Sequence, residues 1–188
     1  MKVFISCPFT GLCKNNKYEI KDEYKTFFNK LVENLEEKGC EYYLAIKREN
    51  WGLNHKGPEE CTRSDFEGVK SSDVLIVIPG NKNSNGISGG VHVELGWASA
   101  MKKKMHILVE DGFEYSPVLM GLNTLTETHY HKCNEFLNLT MLNKINDTEF
   151  ADMPEKAERI STELYIVNSD EDMELYVNSL YNTADAAN

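Results

Sequence analysis

No stretch of about 20 consecutive apolar residues occurs in this 188-residue chain, so it offers no membrane span. Positive charge is scarce: 20 Lys and Arg stand against 30 Asp and Glu, for a net charge of −10. That balance argues against a general binder of nucleic-acid polymers or of membrane surfaces. It leaves room for a small anion, which needs only local positive potential. The cysteines are Cys7, Cys13, Cys40, Cys61 and Cys133, an odd number with no CxxC pair. This fits free thiols in a reducing cytoplasm better than disulfides or zinc. The apolar part of residues 1–6 is too short for a secretory leader and reads as a first strand. No internal repeat and no low-complexity linker interrupts the chain.

What is present is ordinary globular material. Hydrophobic residues make up 41% and charged residues 27%, and the length suffices for one domain with a substantial core.

The stretch 73–110 organises the rest. Residues 74–78 are a short aliphatic run ending at Pro79-Gly80, as in a buried parallel strand. Residues 81–90 are polar and carry Gly86, Gly89 and Gly90, which marks a loop. Residues 91–101 favour helix, with Leu95, Ala98 and Met101 on one face, and 105–109 read as the next strand. In a parallel sheet this places the loop and the helix start at the carboxyl ends of the strands, where open α/β folds bind ligands. Backbone N–H groups there, with glycines allowing close approach, attract an anion such as phosphate, and Ser88 can add a hydroxyl donor. Glu94, about one turn inside the helix, can serve as nucleophile or base beside that anion. Alternatively, Ser88 and the glycines merely cap the helix and Glu94 is a surface residue favoured by the helix dipole.

Two further loops fall on the same edge. Residues 2–6 form a strand that runs into Cys7-Pro8-Phe9-Thr10-Gly11. Phe9 either stacks on a flat ring such as a nucleobase or folds back onto the core. Residues 18–38 are an amphipathic helix with Tyr24, Phe27, Phe28, Leu31, Val32 and Leu35 inward, ended by Gly39. Residues 40–46 are the second strand, followed by Lys47-Arg48-Glu49-Asn50-Trp51-Gly52. Arg48 can pair with phosphate or orient a carboxylate, and Trp51 can wall a pocket; the other reading is a salt-bridged loop with a half-buried tryptophan. His55 is read as a surface residue. Residues 58–71 make a helix with Pro58 near its start and Asp65 in its middle, either exposed or kept for a contact. Pattern alone does not separate Asp65 from Asp73.

Beyond 110, a short helix is expected at 116–122 and a strand at 125–130. His129 and His131 lack a third partner, so no metal site is expected. Residues 135–142 and 171–181 are helix candidates, 160–166 are open between strand and helix, and 183–188 read as a tail. The alternation predicts an α/β sandwich, Rossmann-like or flavodoxin-like, with a mostly parallel five-stranded sheet flanked by helices.

Together these blocks resemble the nucleoside 2-deoxyribosyltransferase superfamily, and most closely its nucleoside 5′-monophosphate N-glycosidase branch, the cytidylate hydrolases of mildiomycin and blasticidin S pathways. The resemblance rests on Cys7-Pro8-Phe9, on Ala45 to Gly52, on Thr62-Arg63-Ser64-Asp65, on Ser72-Asp73 and on Ser88-x-Gly90-x-His92-Val93-Glu94-Leu95-Gly96-Trp97-Ala98-Ser99. It runs from Met1 to about Leu122; the last third matches no named pattern. It implies an α/β domain over 1–132 with a helical extension of the same domain over 133–188.

The resemblance also implies roles. Glu94 matches the catalytic glutamate that acts at C1′ of the sugar while the base leaves, through an oxocarbenium-like transition state. Asp65 matches an aspartate that holds the sugar or assists the leaving base. Ser88 and Gly90 match phosphate-holding residues, and Phe9, beside Cys7, a base-stacking aromatic. Relatives are usually homodimers or larger, with shared sites; the segment 118–123, including Met120, is where a neighbour's contribution is expected. No cofactor is implied. Transferases acting on free nucleosides usually carry an aspartate where Ser88 stands. A carboxylate would repel a phosphate and a serine can donate to it, so hydrolysis of a nucleoside 5′-monophosphate such as CMP is favoured. Base exchange, NAD cleavage and a silent nucleotide sensor are the alternatives. The Leu12–Lys17 loop and the longer polar insert 81–87 depart from the antibiotic-pathway pattern and leave base and sugar open.

Overall fold

Val74, Leu75, Ile76 and Val77 are all buried, which only a strand covered on both faces allows. They form β3 (Val74–Val77) at the centre of the sheet. The structure is a computed structural model that describes residues 1–14, 18–80, 88–133 and 165–167. The other strands are β1 (Lys2–Ser6), β2 (Glu41–Leu44), β4 (Lys104–Glu110), β5 (Thr128–Cys133) and β6 (Tyr165–Val167). The order is β2-β1-β3-β4-β5-β6, and every pairing is parallel. The helices are α1 (Asp22–Glu37), α2 (Ala45–Arg48), α3 (Pro58–Ser71), α4 (Gly89–Ala100) and α5 (Pro117–Met120).

Alternation along the strands divides the core. Val3, Ile5, Val74, Ile76 and Leu108 meet the aromatic and aliphatic stripe of α1 on one face. Phe4, Leu75, Val77, Met105 and Ile107 meet Val69 of α3 and Val91, Leu95 and Ala98 of α4 on the other. Asp73 is spent on the frame, since its carboxylate accepts from the Lys2 backbone N–H at 2.7 Å.

Strands β1 to β5 make the expected sheet, and β6 adds a sixth strand beside β5. The stretch 160–166, open between helix and strand, therefore contributes strand, and at Tyr165–Val167 the extension is not helical. Helix α1 starts at Asp22 rather than at 18, because Ile20 is tied elsewhere: it bridges Cys13, and its N–H donates to the Trp51 carbonyl at 2.9 Å. Strand β2 stops at Leu44, and Ala45–Arg48 is already helical. Strand β5 begins at Thr128, after a 3-10 turn at Leu122–Thr124, later than the expected 125–130. The loop 81–87 and the helix candidates 135–142 and 171–181 lie outside the described residues. Among the described residues, no helix is long and apolar enough to cross a membrane.

Candidate active site

The strand order reverses between β1 and β3, and their carboxyl ends open the crevice at which such sheets bind ligands. Ser6 is the last residue of β1 and is buried. Its hydroxyl donates a hydrogen bond to Glu94 Oε2 on α4. Burial raises the Glu94 carboxyl to about 8, the Ser6 hydrogen bond opposes this, and the charge of Asp65 adds to it. Cys7 sits beside both carboxylates: burial pushes its thiol up, and Glu94 and Asp65 push it further. The thiol is thereby kept protonated and is a poor nucleophile.

Asp65 faces the site from α3. Its Oδ1 accepts from the Tyr43 hydroxyl at 2.8 Å and lies 3.5 Å from Arg48 Nη1. Burial raises the Asp65 carboxyl, against the pull of Tyr43 and Arg48. The second Arg48 nitrogen donates to Glu49 Oε1 at 2.7 Å. Glu49 is 4% exposed and also meets His55 Nδ1 at 3.0 Å and the Cys61 thiol at 3.2 Å. Desolvation disfavours its charge, but these three donors outweigh it and the group titrates below its usual range. Arg48 thus lies against two carboxylates of the protein, Glu49 and Asp65.

Phe9 is partly buried, packs against the α1-side core and stacks on His55 at 5.3 Å and on Tyr18 at 6.2 Å. Tyr18 and His55 lie parallel at 5.0 Å. His55 is therefore no isolated surface residue but joins an aromatic cluster to the Glu49 network. Gly52 makes that cluster possible: its φ is +87°, and a β-carbon there would fall 1.8 Å from the Tyr18 carbonyl oxygen. Trp51 also adopts a left-handed conformation and packs against the core, with its carbonyl holding Ile20.

Ser88 precedes α4, but its side chain makes no capping bond to the helix. A β-carbon on Gly89 would meet nothing within 4 Å, and one on Gly90 only Ser88 Oγ at 3.6 Å. Among the described residues, nothing packs against these two positions closely enough to require glycine. Met120, at the end of α5, is 40% exposed.

Known proteins bear on this geometry. The model of the nucleoside 2-deoxyribosyltransferase family matches residues 17–172. The chain belongs to that family. The CMP N-glycosidase BcmB of Clostridium botulinum is 30% identical, with a TM-score of 0.54, over 72% of this chain and 90% of its own. The solution structure of BlsM is 37% identical, with a TM-score of 0.56, over 68% of this chain and 78% of its own. No curated protein matches the chain in sequence.

In this member of the nucleoside 2-deoxyribosyltransferase family, the structure gathers Ser6, Cys7, Tyr43, Arg48, Asp65 and Glu94 at one strand edge. Sequence reasoning named four of them. Ser6 carried a signal, a hydroxyl closing an apolar strand next to Cys7. Tyr43 carried none, because a strand tyrosine reads as core. Chemically, the site offers two carboxylates with elevated pKa values, each held by a hydroxyl donor, a set suited to moving protons and stabilising charge. Away from it, His106 and His131 approach at 3.0 Å across β4 and β5, and burial lowers both, His131 to about 3. Among the described residues no group of three His, Cys, Asp or Glu is placed to hold a metal.

Proposed function

We propose that the protein hydrolyses the N-glycosidic bond of a pyrimidine nucleoside 5′-monophosphate, CMP first among them, releasing free base and (deoxy)ribose 5-phosphate. The observation that carries this reading is the pairing of Glu94 with Ser6 opposite Asp65, about one helical turn from a glycine-bearing helix start. The helix N–H groups and the Ser88 hydroxyl, which makes no capping bond to the helix, suit a 5′-phosphate. A phosphate anchored there brings C1′ toward Glu94. In its ionised form Glu94 attacks C1′ as the C1′–N bond breaks, and the electron pair leaves with the base. Asp65 holds the sugar or passes a proton to the departing base. Water then cleaves the glycosyl ester and restores the carboxylate. Phe9, held in its stack with Tyr18 and His55, borders the base. The identities to BcmB, a CMP N-glycosidase, and to BlsM support the choice of substrate class. No cofactor enters the scheme. The protein works in the cytoplasm as a homodimer, Met120 being offered to the neighbouring site.

Chromatography of products tests the reading. CMP, dCMP, UMP, dUMP, purine monophosphates, paired deoxyribonucleosides and NAD are incubated with wild type and Glu94→Ala. Free pyrimidine from a monophosphate, lost in the variant with its fold intact, is the expected result. Full activity in Glu94→Ala overturns the role of Glu94, and base exchange without hydrolysis overturns the reaction.

A further inference from the structure

Tyr43 is the residue whose place in the site is least expected from its surroundings in the sequence. Its ring lies flat on Phe4, with centroids 5.1 Å apart and planes 9° from parallel. Gly68 of α3 sits on this pair: a β-carbon there would come 2.9 Å from Phe4 Cε2 and 3.1 Å from Tyr43 Cδ1. The helix is seated directly on the two rings, and Asp65, one turn earlier, arrives over the tyrosine hydroxyl. That hydroxyl donates to Asp65 Oδ1 at 2.8 Å and accepts from Arg48 Nη1. Arg48 is itself anchored through Glu49, which His55 and Cys61 hold from the other side.

We infer that Tyr43 is a positioning residue for the reaction proposed above, fixing Asp65 through Oδ1 and leaving Oδ2 as the oxygen presented to sugar and leaving base. The inference rests on that proposed reaction only for its effect on turnover; the link between Tyr43 and Asp65 rests on the geometry. A direct ion pair with Arg48 would place the carboxylate differently, since Arg48 Nη1 reaches Oδ1 only at 3.5 Å. Tyr43 fills the gap with a neutral donor whose ring cannot swing away. The groups that act on Asp65 are Tyr43 from β2 and Arg48 and Glu49 from the segment after it, while Asp65 in turn raises Cys7 and Glu94 across the site.

The test follows the Asp65 carboxyl carbon by carbon-13 NMR, assigned by its absence in Asp65→Asn. Tyr43→Phe keeps the stack and deletes the hydroxyl. The Asp65 titration is expected to move up by at least about half a pH unit, because the lost hydrogen bond favoured the charged form. Site-specific 3,5-difluorotyrosine at position 43 makes the same hydroxyl a stronger donor and is expected to move the titration down, in a protein of unchanged shape. With substrate, Tyr43→Phe lowers kcat about tenfold or more and leaves KM within about twofold. An Asp65 titration that ignores both replacements overturns the inference, as does an unchanged kcat in an active enzyme. The NMR result needs no turnover, so an inactive wild type would overturn the proposed reaction without deciding the Tyr43 link.

Discussion

Glu94 is a carboxyl group placed where its charge is disfavoured. With a pKa of about 8, about a tenth of it is ionised at pH 7. If the carboxylate is the nucleophile, kcat/KM rises with pH and levels off above about 8. A rate that falls over the same range would make Glu94 the proton donor instead. Stability carries the opposite sign. An ordinary glutamate titrates near about 4.3, so between there and the folded value the native state binds the extra proton. Stability contributed by this group is full at low pH and is lost as pH rises through that window. Glu94→Gln should therefore raise the melting temperature at pH 9 and leave it unchanged at pH 4. A melting temperature insensitive to the substitution at both pH values would show that burial is not what perturbs the group.

Helix α3 carries the site through its fit to the strands. Alanine normally exceeds glycine in a helix interior by about 1 kcal/mol, so Gly68→Ala would stabilise an open helix. Here the added methyl meets the Phe4 and Tyr43 rings at 2.9 and 3.1 Å. Overpacking of this kind costs about 1–3 kcal/mol and lifts Asp65 off Tyr43. Urea denaturation should show a net loss of about 1 kcal/mol, together with reduced turnover. A stabilised variant would mean that the seat of α3 is loose. The residue could be read in the sequence only as a glycine inside a helical pattern. The surfaces that forbid its side chain come from β1 and β2, far away along the chain. Similarly, Arg48 was legible as a cation at the ligand edge, but its partner was not, because Tyr43 and Asp65 meet only when α3 lies across β2.

For the molecule as a whole, apolar side chains of α3, α4 and α5 are exposed or half-buried among the described residues. Pro58, Glu59, Thr62, Arg63, Phe66 and Trp97 line an open groove of about 580 Å³, with Phe66 and Trp97 edge to face at 5.3 Å. Val93 on α4 is 50% exposed and Val118 on α5 is 77% exposed. The proposed homodimer would cover such a surface. Sedimentation should give twice the chain mass for wild type, and Val118→Glu, which disturbs no core contact, should shift it toward the monomer and raise KM. A wild type that sediments as a monomer at working concentrations removes the shared site from the proposal.

By itself the sequence determined the α/β alternation, the three loops at the carboxyl edge and Glu94 as a carboxylate one turn inside the helix there, while Asp65 was singled out only by the family resemblance. Those follow from local periodicity, from glycine and proline punctuation and from motif spacing, all of which act over a few residues. Only the tertiary structure committed Asp73 to the frame, set Arg48 against Tyr43 and Glu49, joined His55 to Phe9 and Tyr18, and gave Ser6 and Tyr43 their partners. Each of those depends on which strand lies beside which, and on how close a helix can approach. Such contacts are made between residues far apart in the chain, where no local pattern records them.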